Sequence, residues 1–261
     1  MKIKSVSVAY FSATYTTQKI VRWVAQTIKP SFKEYDITRK ELKEDLFFDT
    51  NDLIIAGIPV YAGRVPAKAA RSLKRLKGND TPVLLIAVYG NRAYEDALIE
   101  LKDIFEDNFF KVVSIGAFIG RHSIFTPLAK ERPDQDDQSL AIEFAQNSQE
   151  IIRSCSNILR LPSIEVSGNR PYKPHGQYPI FPTVSGSCNK CGKCAQLCPS
   201  QAIPPQNPET TDTNICFSCG RCLVICPKQA RTFEGDFYHD KLDFFLKSYS
   251  DRKNPELFYA R

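Results

Sequence analysis

Eight of the nine cysteines in this 261-residue chain fall in two short runs. One reads Cys188-Asn189-Lys190-Cys191-Gly192-Lys193-Cys194-Ala195-Gln196-Leu197-Cys198-Pro199. The other reads Cys216-Phe217-Ser218-Cys219-Gly220-Arg221-Cys222-Leu223-Val224-Ile225-Cys226-Pro227. Both are spaced C-x₂-C-x₂-C-x₃-C-P, so three thiolates in one tight loop can grip three corners of a cubane iron–sulfur cluster. In runs of this kind the fourth cysteine, ahead of proline, ligates the other cluster. Applied here, that rule gives one [4Fe–4S] cluster to Cys188, Cys191, Cys194 and Cys226, and the other to Cys216, Cys219, Cys222 and Cys198. Pro199 and Pro227 turn the chain after each swapped ligand. Zinc is the rival metal, but zinc sites use four ligands, commonly as two separated pairs. A disulfide framework suits a small secreted chain, which this is not.

Stepping outward from the cysteines, roughly 180 residues precede the first run and hold a single cysteine, Cys155. Usage this lopsided marks a separate module joined to an ordinary domain. Met1 to Val6 begins like a strand and lacks the apolar core of a signal peptide, and the apolar runs are too short to cross a bilayer. Together with the reducing conditions such clusters need, this makes the cytoplasm the expected location. The formal charge is +6. Two oxidised cubanes with their thiolates add about −2 each, and a flavin phosphate up to about −2, which brings the loaded protein near neutrality. No basic run with interleaved aromatics points to nucleic acid. Lys190, Lys193, Arg221 and Lys228 stand beside ligands, a pattern suited to an acidic redox partner.

The first 160 residues alternate strand and helix. Lys4–Phe11 reads as a buried strand, and Ser12-Ala13-Thr14-Tyr15-Thr16-Thr17 as a hydroxyl-rich turn. A helix follows, with Ile20, Val24 and Ile28 at four-residue spacing. Such a turn can present N–H groups and hydroxyls to a phosphate, although Thr16 or Thr17 could equally just cap the helix. Further strands are expected at 32–37, 52–57, 81–89 and 112–119. The third exits into Pro59-Val60-Tyr61-Ala62-Gly63, the fourth from Tyr89 into Gly90-Asn91-Arg92-Ala93-Tyr94. A last helix over about 138–157 would put Cys155 on its apolar face, in the core. The pattern predicts a doubly wound α/β fold with a five-stranded parallel sheet of order 2-1-3-4-5. The loops after strands 1, 3 and 4 then meet at one sheet edge. A phosphate loop beside two aromatic-bearing loops suits a phosphorylated planar ring, FMN.

At these motifs the N-terminal region resembles the flavodoxin family, and the whole chain resembles the flavodoxin–ferredoxin fusions of anaerobic bacteria and archaea. The resemblance implies a flavodoxin-like FMN domain over 1–160, a proline-rich linker over 161–184, and a small α+β two-cluster ferredoxin domain over 185–236. A C-terminal helix and tail complete the chain over 237–261. It implies that Ser12–Thr17 hold the FMN phosphate, and that Pro59–Gly63 and Tyr89, Gly90, Asn91, Arg92 and Tyr94 flank the ring, with Tyr61 or Tyr94 stacked on it. The family has glycine where this chain has Tyr15. No G-x-G-x-x-G follows the first strand, so a dinucleotide site is not indicated. His122, His175 and His239 stand alone and read as packing or surface residues.

The function expected is electron transfer, with clusters handling single electrons and flavin one or two. Two alternatives stay open. The chain could be a ferredoxin whose first domain has lost FMN and serves for docking, or a flavin-dependent reductase of a small acceptor such as a quinone.

Overall fold

The computed structural model describes residues 1–261. In chain order the first elements are β1 (Ser5–Tyr10), α1 (Thr16–Ile28), β2 (Lys33–Asp36), β3 (Leu46–Phe47), β4 (Asp52–Pro59), α2 (Ala67–Leu73) and β5 (Leu76–Lys77). Then come β6 (Thr81–Tyr89), α3 (Ala97–Glu106), β7 (Phe110–Ile119) and α4 (Gln135–Ser154). The cysteine region contributes β8 (Thr183–Val184), α5 (Lys193–Gln196), α6 (Arg221–Ile225) and β9 (Arg231–Thr232), followed by α7 (Asp236–Tyr249) and β10 (Glu256–Tyr259). No helix is long and apolar enough to cross a membrane.

The central sheet runs β10-β7-β6-β4-β1-β2. All its pairs are parallel except β10 with β7. Strand geometry sends successive side chains to opposite faces. Val6, Val8 and Tyr10 of β1 therefore pack with Leu53 and Ile55 of β4 under α1 and α4. Ala9, Ile54, Ala56 and Ile58 face α2 and α3 instead. Covering both faces requires apolar residues at every position of a central strand, and β6 is buried from Thr81 to Tyr89.

The expected five-stranded sheet has six strands. β10 comes from the segment expected to be tail, and its four residues are too few for a period-two pattern to register in the sequence. Leu257 and Tyr259 pack on one face of the sheet and Phe258 on the other. The pairing covers the β7 edge, which would otherwise leave a row of unpaired backbone groups. The last helix of the α/β unit is also displaced. Asp134 accepts from the Asp136 and Asp137 backbone N–H groups in a capping box, so α4 starts at Gln135 and ends at Ser154. Cys155 falls beyond it, half-buried, with Sγ against the Asn157 carbonyl, and is not a core residue.

Segment 161–184 is bonded to the structure along its length. Ile164 enters the main core, Asp96 accepts from the Asn169 and Lys173 backbone N–H groups at 2.9 and 2.7 Å, and Ile180 enters a third core. That core joins Phe125 and Leu128, from the loop after β7, to Phe233 and to Tyr238 and Phe245 of α7. Phe125 and Phe245 lie 4.4 Å apart between ring centroids. These rings tie the cysteine region to the sheet. Phe245→Ala is expected to lower stability by about 3–5 kcal/mol, the usual cost of emptying an aromatic core position. The exposed neighbour Phe244, truncated likewise, should change it by less than about 1 kcal/mol. Denaturant unfolding of the two variants measures the contrast.

Candidate functional site

The two cysteine runs fold as one backbone motif written twice. Lys190 and Ser218 have φ of 56° and 54°, Gly192 and Gly220 have 70° and 74°, and Gln201 and Gln229 have 60° and 49°. Left-handed residues set among right-handed ones turn successive N–H groups to one side, which makes a concavity for an anion. Lys190 N–H points at Cys188 Sγ at 3.4 Å, and Ala230 N–H at Cys226 Sγ at 3.2 Å. One helical turn, α5 or α6, follows each loop.

Two small cavities divide the eight thiols. One is lined by Cys188, Cys191, Cys194 and Cys226, the other by Cys198, Cys216, Cys219 and Cys222. Each fourth cysteine thus leaves its own run and joins the other three. No group of three His, Cys, Asp or Glu side chains converges tightly enough to hold a single metal ion. Burial pushes the Cys222 thiol up to about 12, and raises Cys216 and Cys219 as well. Thiols in that state become thiolates when a bound cation supplies the missing stabilisation. Two sets of four thiols are a donor set of the kind iron–sulfur cubanes take.

The two sets differ in surroundings. The first is the outer one: Cys191, Lys193 and Lys228 are exposed, and Lys190 pairs with Glu209 at 2.7 Å. The second is inner, pressed against the sheet edge. Phe217 lies 6.2 Å from Phe11 and 6.0 Å from Tyr61 between ring centroids. Gly220 meets the Ser123 carbonyl so closely that a Cβ would sit 2.5 Å from its oxygen. Lys68 Nζ donates to the carbonyl of Pro199, next to Cys198. Arg221, grouped by its sequence position with the surface lysines, is instead only 5% exposed. Its Nη1 donates to the Ser12 and Ala13 carbonyls at 3.0 and 3.2 Å, and its guanidinium stacks 4.8 Å over the Tyr15 ring.

That contact lies on the Ser12–Thr17 turn. Tyr15 sits at φ 67°, the left-handed backbone that glycine adopts without strain. Neither Thr16 nor Thr17 caps α1. Ser12 holds the turn instead, accepting from Gln18 N–H at 3.0 Å and donating its own N–H to Thr38 Oγ1 at 2.8 Å. Thr14 and Thr16 are half-buried beside it. Thr17 Oγ1 and Arg221 Nε are buried without partners.

Beside the turn opens a cleft of about 1290 Å³, formed between the sheet edge, the 173–178 segment and the inner cysteine loop. Val60, Tyr61, Ala62 and Gly63 line it on one side, Gly90 and Arg92 on another. Tyr94 does not line it: its hydroxyl donates to Glu256 Oε2 at 2.9 Å and its ring packs 5.5 Å from Tyr89. Tyr89 and Asn91 are buried, and Asn91 Nδ2 donates to the Tyr249 and Asp251 carbonyls. Pro59 ends β4 outside the cleft, and so does the whole Ser12–Thr17 turn. Size and the Tyr61 wall fit a planar ring such as a flavin. The Ser12–Thr17 turn lies outside this cleft, with Arg221 on two of its carbonyls.

Two further walls carry no motif in the sequence. One is the loop after β7, through His122, Ser123 and Ile124. The other is basic, from Arg39, Lys40, Lys43, Lys68 and Arg71. Arg39 to Lys43 follow β2, which is parallel to β1, so their arrival at this edge could have been read from the same topology.

No family model matches the chain, and no curated protein matches it. Among solved structures the chain is similar to flavodoxins and flavoproteins. An archaeal flavodoxin is 11% identical over 57% of this chain and 99% of its own, with a TM-score of 0.39. The oxidised flavodoxin 2 of Bacillus cereus is 16% identical over 56% of this chain and 99% of its own, TM-score 0.41. An apo NADH:FMN oxidoreductase is 14% identical over 56% and 88%, TM-score 0.40.

At the cleft wall, burial and, secondarily, Arg92 lower the His122 pKa to about 4. Its Nδ1 accepts from the Ile124 and Phe125 N–H groups at 3.2 and 3.0 Å. The unfolded chain takes a proton near pH 6.5, whereas the folded one resists until about pH 4. Stability is therefore full above pH 6.5 and falls as pH drops through that window, by about 3 kcal/mol in all. Unfolding measured from pH 7.5 to 4 should show the slope, and His122→Asn, which keeps an acceptor, should flatten it.

Proposed function

We propose that the protein is an electron carrier with two [4Fe–4S] clusters, the outer on Cys188, Cys191, Cys194 and Cys226 and the inner on Cys198, Cys216, Cys219 and Cys222. The observation that carries this reading is the division of eight thiols between two cavities, with Cys198 and Cys226 exchanged. Each cluster would take up and release one electron at a time, and a flavin in the adjoining cleft would extend this to pairs. The protein's own groups then have definite tasks. The left-handed loop residues aim N–H groups at sulfur, which favours the more negative, reduced state. Arg221 puts a buried positive charge beside the inner set. Phe217 and Tyr61 keep water from the space between that set and the cleft. Exposed Lys193 and Lys228 surround the outer set, where an acidic partner protein would dock. Electrons would enter or leave at the outer set and reach the cleft through the inner one.

FMN in the cleft, its ring against Val60–Gly63 and Gly90–Arg92, completes this reading. One observation favours the alternative of a docking domain without flavin: Arg221, from the cysteine region, sits on the Ser12 and Ala13 carbonyls and the Tyr15 ring of the turn. Flavin content after anaerobic reconstitution separates the two.

Cys198→Ala should remove the inner cluster and spare the outer, lowering iron from about eight to about four per chain. Cys226→Ala should do the reverse. Low-temperature electron paramagnetic resonance of the reduced variants distinguishes them, and loss of the outer cluster from Cys198→Ala would refute the exchange. Lys193→Glu with Lys228→Glu should slow electron exchange with an acidic partner, most at low salt. Stopped-flow rates indifferent to both changes would leave the two lysines as solvated charges.

A further inference from the structure

A cavity large enough for a nucleotide-sized ring, with a strongly basic wall, has an address for an anion that the turn at the end of β1 does not provide. We infer that the cleft binds its ligand with the anionic end on the wall of Arg39, Lys40, Lys43, Lys68 and Arg71, and not on Ser12–Thr17. This rests on the reading of the cleft as the flavin site and specifies where the phosphate goes. Two independent observations lead to it. The turn lies outside the cleft: none of its residues lines it, and Arg221 holds two of its carbonyls. The wall is open and unbalanced. Its five basic side chains face one acid, Glu41, which is taken up by Arg71 at 2.8 Å. Lys68 is held by the Arg39 and Pro199 carbonyls, whereas Arg39, Lys40 and Lys43 are exposed and form no ion pair.

The remaining walls suit an aromatic body. Tyr61, Tyr178, Phe217 and Phe245 supply ring faces, and His122, neutral at pH 7, adds no charge. A phosphorylated or carboxylated ring lying from Tyr61 toward Lys40 would touch Pro199 and Phe217. Those residues also line the inner cysteine cavity. The anionic end would then lie on a wall whose Lys68, on the Pro199 carbonyl, puts positive charge between it and the inner set.

The test uses the full chain with reconstituted clusters, and flavin fluorescence quenching with FMN and with riboflavin, which lacks the phosphate. Lys40→Ala/Lys43→Ala should weaken FMN binding about tenfold or more at low salt and leave riboflavin unchanged. Thr14→Ala should change neither. If Thr14→Ala weakens FMN while the lysine pair does not, the phosphate lies on the turn; this inference fails and the flavin reading stands. If the unmodified protein binds FMN no more tightly than riboflavin, no group holds the phosphate and the inference also fails. If neither flavin binds, the flavin reading itself falls, and this inference with it.

Discussion

A guanidinium buried without a carboxylate is the constraint from which the rest of the arrangement follows. Arg221 is almost wholly covered, yet its partners are two backbone carbonyls and the face of Tyr15. A buried charge left that way costs several kcal/mol unless an opposite charge lies close. On the proposed reading the opposite charge is the thiolate-bound inner cluster, because Arg221 stands between the ligands Cys219 and Cys222. The side chain that anchors the cysteine region to the sheet edge would then be stabilised by the group that region carries. Loss of the cluster would weaken the anchoring, and loosening the anchor would expose the cluster.

The same contact shapes the cleft. With Arg221 on the Ser12–Thr17 turn and Phe217 against Phe11 and Tyr61, the inner cysteine loop covers one end of the sheet edge and leaves the other open toward the basic wall. The 173–178 segment closes the roof: Arg64 donates to the Lys173 carbonyl and Gln177 to that of Cys216. Three regions distant in sequence meet around one space, and the apolar core of Phe125, Ile180, Phe233 and Phe245 holds them together behind it. A ligand there would lie against the shell of the inner thiols without a moving part.

Much of this was legible in the residues, for physical reasons that also mark where legibility stopped. Cysteine spacing is a local property of a tight loop, so the ligand candidates could be named before any fold. The continuous apolar runs of β4 and β6, with the β-formers of β1, are long enough to identify buried strands and their shared edge. Tyr15 was visible as an oddity because a left-handed turn normally takes glycine. By contrast, β10 is four residues long and is defined by its partner β7. The burial of Arg221 depends on docking between distant segments, and no periodicity in Phe217–Cys222 records which side meets the turn. Tyr94 looked available to a ring until Glu256, 162 residues away, took its hydroxyl. Contacts of that kind belong to the tertiary structure alone.

The account stands or falls on what the eight thiols hold. The most direct measurement is iron and acid-labile sulfide on protein purified without oxygen, taken with its visible absorption. About eight iron and about eight sulfide per chain are expected, with a broad visible charge-transfer absorption that bleaches on reduction. Zinc in place of iron, with no sulfide and no colour, would contradict it.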